Sequence, residues 1–97
     1  MARNSFVWEA QVRREVLDNE VAQLREIPYS LWRQVVGAPS SKIVTARDER
    51  KYRVQVSAEY VGAEDIRVTL SLASAGGLRR KLMRQTFIIT PDNRFRV

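Results

Sequence analysis

Two adjacent acid pairs, Asp48-Glu49 and Glu64-Asp65, are the residues of this sequence best suited by type to chemistry. Neighbouring carboxylates can divide acid–base work between them or hold a hard cation. Both pairs, however, stand between alternating segments, where turns favour acidic residues because they are solvated there. Ser40-Ser41 and Ser71 have no base within view to activate a hydroxyl. The 97 residues contain no His and no Cys, which removes Ser-His-Asp triads, imidazole catalysis, thiolates, disulfides and the usual ligands of zinc. Gly76-Gly77 lacks the strand-loop-helix setting and the Lys of a phosphate-binding loop. The expectation is a protein that is not an enzyme, with no catalytic residue, no metal and no cofactor.

Charge is more informative. The net charge is +6, from seventeen basic and eleven acidic residues. Residues 1–36 carry five of each sign, so the whole excess lies in residues 37–97. Arg53, Arg67, Arg79, Arg80, Lys81 and Arg84 form a candidate anion or nucleic-acid face, since guanidinium and ammonium groups grip phosphates through charge-assisted hydrogen bonds. Single-strand binders add aromatic rings on the same surface for stacking. Here Tyr52 and Tyr60 alternate with valines and are expected to point to the opposite side. The Arg79-Arg80-Lys81 run also suits an edge strand guarded against aggregation. Trp8, with Val12 beside it at the margin of the apolar stripe described next, is a candidate protein interface.

The elements that would position these residues follow from periodicity. Asn4 or Ser5 can cap a helix over residues 6–27. Phe6, Ala10, Val16, Leu17, Val21, Leu24 and Ile27 line its apolar stripe, while Arg14, Asp18, Gln23 and Arg25 face away. Pro28 ends it. A short helix spans residues 30–36, containing Trp32 as a plug for one end of the core, with Gly37 as left-handed terminator and Pro39 as stop. Beyond Ser41 the period becomes two, predicting strands over 42–47, 51–61, 66–74 and 80–90, joined by turns at Asp48-Glu49-Arg50, Gly62-Ala63-Glu64-Asp65 and Ala75-Gly76-Gly77. Pro91-Asp92-Asn93 closes the sheet and lets Phe95 fold back.

The expected architecture is α+β: one domain over residues 1–97, with a long N-terminal helix and a short second helix on one face of a four-stranded antiparallel meander. Matching the apolar faces of the second and third strands sets Tyr60 against Ile66, Val56 against Leu70 and Val54 against Leu72. The same register opposes Glu59 to Arg67 and Ser57 to Thr69 on the wet face.

Glu20-Val21-Ala22-Gln23-Leu24-Arg25, Lys51-Tyr52-Arg53-Val54-Gln55-Val56, Asp65-Ile66-Arg67-Val68 and the stretch Phe87-Ile88-Ile89-Thr90-Pro91-Asp92-Asn93-Arg94-Phe95 together resemble a group of small uncharacterised bacterial proteins. That resemblance implies a helix followed by an antiparallel sheet and implies no activity. The Asp-Asp-Gly-Gly-Trp-Arg-like turn of such proteins is replaced here by Ala73-Ser74-Ala75-Gly76-Gly77-Leu78-Arg79.

No apolar stretch approaches the ~20 residues needed to cross a bilayer, and the first residues lack a signal-peptide core, so the expected location is the cytoplasm. The expected role is protein interaction or self-association, the partner being an unknown protein or a second copy. Nucleic-acid binding on the basic sheet face is the alternative.

Overall fold

A computed structural model describes residues 5–76 and 81–96, with side chains from residue 9 to 76 and from 83 to 96. Two helices, α1 (Ser5–Leu24) and α2 (Tyr29–Val35), precede the strands β1 (Ser40–Thr45), β2 (Lys51–Val61), β3 (Asp65–Ser74), β4 (Lys81–Ile89) and β5 (Phe95–Arg96). The strands form one antiparallel sheet in the order β1-β2-β3-β4-β5. The sheet therefore has five strands rather than four. Phe95 and Arg96 do more than fold back: they pair with Ile89 and Ile88. A two-residue strand leaves no alternation to find, which is why the pattern stops at β4.

The β2–β3 hairpin has the expected register, with Tyr60 opposite Ile66, Val56 opposite Leu70, Val54 opposite Leu72, Glu59 opposite Arg67 and Ser57 opposite Thr69. Patterning on both faces leaves only this alignment, because a one-residue slip would turn Val54, Ile66, Val68, Leu70 and Leu72 to water. All five are completely buried, each worth ~1.5–3 kcal/mol relative to exposure. Between β3 and β4 the register shifts at Leu72/Ala73, a bulge near the end of the ladder.

Helix α1 lies principally across β3 and β4. It buries Val12, Val16, Leu17 and Glu20, with Val21 and Leu24 half-buried against the same core. The stripe is thus rotated from the expected one. Ala10 is exposed, and Val12, expected at the margin as a candidate interface residue, is 0% exposed and belongs to the core. Arg14, Asp18, Gln23 and Arg25 are exposed as expected. The proposed cap Asn4 lies outside the described residues, as do the side chains of Phe6 and Trp8.

The helix stops at Leu24, three residues before the expected end. Glu26 and Ile27 donate to carbonyls only three residues back, Gln23 and Leu24 at 3.2 and 3.1 Å, so the last turn tightens and unwinds. Pro28 is the cause: it disfavours helical backbone in Ile27 and itself stands extended at φ −72°, ψ 158° as the residue before α2. The first N–H of α2 is satisfied from far along the chain, Tyr29 donating to Asn93 Oδ1 at 2.8 Å. Trp32 is 3% exposed and meets Phe87 edge-on at 6.3 Å between ring centroids, closing one end of the core as expected. Gly37 ends the segment in the left-handed region at φ +78° and donates to the Ala58 carbonyl. Among the described residues, no helix is long and apolar enough to cross a membrane.

Candidate functional site: the open edge of the sheet

Because α1 sits over β3 and β4, the helix-facing margin of β1 and β2 is held at a distance and bridged by ion pairs. Glu9 meets Arg50 at 2.7 Å, Glu15 meets Arg47 at 2.8 Å, and Glu20 meets Lys42 at 3.0 Å. All three acids come from α1 and all three bases from β1 or the turn after it. The Glu9 carboxylate, hydrogen-bonded to Arg50, holds that guanidinium's proton more tightly than usual. The outer two pairs reach into solvent, Arg50, Arg47 and Glu15 being exposed, and water screens them. Glu20 differs: its side chain is 7% exposed, while Lys42 remains half in water.

Glu20 and Gln23 divide the crevice between α1 and β1 in two. On one side lies a cleft of about 390 Å³, with Leu24, Ile27, Trp32, Val54, Val56 and Ala58 among its walls. On the other lies a more polar cleft of about 380 Å³, walled by Val12, Val16, Val44 and Arg47 among others. The indole N–H of Trp32 is buried without a partner among the described residues.

The backbone of β1 is the more consequential feature. Its neighbours fix which groups point where. Ala46 donates to the Arg50 carbonyl, whereas the carbonyl of Lys51 accepts from Ala75 on the β3 side, and that of Ala58 accepts from Gly37 on the β1 side. Alternation along antiparallel strands then turns Ser40, Lys42 and Val44 toward β2. Ser41, Ile43 and Thr45 turn their N–H and C=O groups outward, where no strand follows among the described residues. The side chains of those three residues lie on the sheet face away from the helices and are all exposed, Ile43 at 47%. Sheet edges are usually guarded by a charged side chain, a proline or a bulge. Lys42 is the one charged residue of β1, and it is tied back to Glu20 on the other face. Among the described residues, the edge is a row of outward donors and acceptors without a backbone partner, beside an exposed isoleucine.

Register places Arg53, Arg67 and Arg84 on the outer face, with Arg53 opposite Ala73, Arg67 opposite Glu59 and Arg84 opposite Ser71. They do not act alike. Arg67 grips Glu59 through Nε at 3.1 Å and Nη2 at 2.9 Å, so its charge is already answered. Arg96, on the same side, is held by Asp65 at 2.7 Å. Arg53 is half-buried and Arg84 exposed. Arg79 and Arg80 lie outside the described residues; the backbone of Lys81 pairs with Ala73, and its side chain is likewise outside. Tyr52 is buried on the helix-facing side as expected, but Tyr60, at the strand's end, is 47% exposed because the core does not extend that far.

Asp48, Glu49 and Glu64 lie in turns as expected, whereas Asp65 is the first residue of β3, paired with Val61. Asp48 accepts from the Arg50 N–H at 3.0 Å, and the carbonyl of Glu64 accepts from the Tyr29 hydroxyl. Glu49 adopts φ +67°, the left-handed conformation that closes the β1–β2 hairpin. In the β4–β5 turn the Thr90 hydroxyl donates to Asp92, which, with Arg94 nearby, holds that acid below the usual carboxylate range.

Sequence reasoning overlooked Ile43 and its two neighbours. The available signal was short: Pro39 sets the start of a β-branched run with a single charge. Comparison with protein-family models, with curated proteins and with solved structures found no match.

Proposed function

We propose that this protein is a non-enzymatic interaction domain of the cytoplasm that engages a protein partner by strand addition at the open edge of β1. The observation that carries this is the outward row of backbone groups at Ser41, Ile43 and Thr45, with the strand's one charge, Lys42, turned to the other face and held by Glu20. Strand addition takes its affinity from main-chain hydrogen bonds and its specificity from alternate side chains, and this edge offers both. A proline at position 43 tests it, since it deletes an outward donor without touching a bond to β2.

The tagged full chain, in an extract of cells that naturally express it, should retain partner through the edge. Retention should be lost with Ile43→Pro and unchanged in an Arg53→Glu, Arg84→Glu double variant. Nucleic-acid binding on the outer face is the second reading, favoured by the shared face of Arg53, Arg67 and Arg84. Retention that survives Ile43→Pro but disappears with the arginine variant, and falls steeply with salt, would contradict the edge and support that alternative.

A further inference from the structure

The edge is compatible with a second copy of itself, since its outward residues are uncharged and can face their own kind. We infer that β1 pairs antiparallel with β1 of a second copy, about a two-fold axis through Ile43, making one continuous ten-stranded sheet. This rests on the edge being the docking surface and adds the identity and alignment of what docks.

The three outward-facing residues are spaced evenly about Ile43. A two-fold axis perpendicular to the sheet at that residue sets Ile43 against Ile43 of the copy, and Ser41 against Thr45 in both directions. Every outward N–H and C=O then meets a partner, about six hydrogen bonds across the seam. The two isoleucines, each 47% exposed in the single chain, cover one another on the outer face.

Charge agrees with this alignment. On the helix-facing side Lys42 falls opposite Val44, so the two ammonium groups are never directly opposed. Sliding by two residues toward the N-terminus would set Thr45 against Pro39, which has no N–H to give to the Thr45 carbonyl. Sliding the other way sets Ser41 against Arg47, which lies outside β1 and is already engaged with Glu15. The Ile43-centred register is the one that pairs all three outward residues, Ser41, Ile43 and Thr45, with one another. A pairing this short lies at the low end of specific interfaces, below ~1,200 Å², so association should depend visibly on concentration.

The absence of native cysteine makes the alignment directly testable in the full chain. In a hydrogen-bonded antiparallel pair the Cα atoms lie ~5.5 Å apart, within the ~4.4–6.8 Å that a disulfide spans. Ile43→Cys should therefore cross-link to itself on mild oxidation. Ser41→Cys alone and Thr45→Cys alone should not, because each is ~14 Å from its own copy, yet a mixture of the two should cross-link. Light scattering should show the mass rising toward twice that of one chain as concentration increases. Ile43→Lys, which keeps the ladder to β2, should remain at one-chain mass with an unchanged circular dichroism spectrum.

A strictly single-chain mass up to ~1 mM would overturn the second copy as partner. If retention from extract were then still lost with Ile43→Pro, the edge would stand with a different protein on it. A dimer in which Lys42→Cys or Ser41→Cys self-cross-links and Ile43→Cys does not would overturn the alignment. A dimer untouched by Ile43→Lys would place the contact elsewhere and overturn the inference.

Discussion

Glu20 carries its carboxylate into the crevice between α1 and β1 on a side chain 7% exposed, and Lys42 meets it at 3.0 Å while half in water. The two members of such a pair are not equivalent to lose. Lys42→Met leaves a buried carboxylate unanswered, which should cost ~1–3 kcal/mol. Glu20→Gln leaves a neutral amide and a lysine free to extend into solvent, which should cost less than ~1 kcal/mol. Urea unfolding curves with equal slopes check this through their midpoints; equal costs would mean that water, not Lys42, solvates Glu20. Residue type alone puts Glu20 on the wet side of a helix. Its cation comes from the first strand, so no local pattern reveals it. Val12 is in the core because α1 turns toward the sheet a face centred nearer Val12, Val16 and Glu20 than its apolar residues alone indicate.

At the scale of elements, what was legible is what two faces specify together. The β2–β3 register could be read because its valines, isoleucine and leucines and its Glu59–Arg67 pair demand the same alignment. Strand β1 has one half-buried residue, Val44, among five exposed ones. It carries no such double signal, and its expected span of 42–47 was displaced by two residues. Strand β5 is too short to carry any. The edge geometry makes a sharp prediction about neighbouring positions. Ile43→Pro should leave stability within ~1 kcal/mol, because its N–H faces outward. Val44→Pro should cost ~1–3 kcal/mol, because the Tyr52 carbonyl of the ladder loses its donor. Thermal or urea unfolding of the two variants decides the point. A greater loss at 43 than at 44 would mean that the outward set is even-numbered, and the edge described above would be the wrong row of atoms.

For the molecule as a whole, charge is divided as the composition indicated: residues 1–36 are neutral and residues 37–97 positive. The structure adds that part of that excess is answered internally, Arg50, Arg47 and Lys42 by α1 and Arg67 and Arg96 by acids of the sheet. This takes charge away from both the edge and the outer face. An edge without a free cation is open to another strand, and a face whose central arginine is engaged is a poorer grip for phosphates. The most direct test is amide hydrogen exchange in the unmodified chain at low and high protein concentration. The account predicts that Lys42 and Val44 are protected at both. Ser41, Ile43 and Thr45 should exchange freely when dilute, and roughly tenfold more slowly once about nine-tenths of the chains are paired. Exchange at those three amides that stays equally fast at every concentration would contradict it.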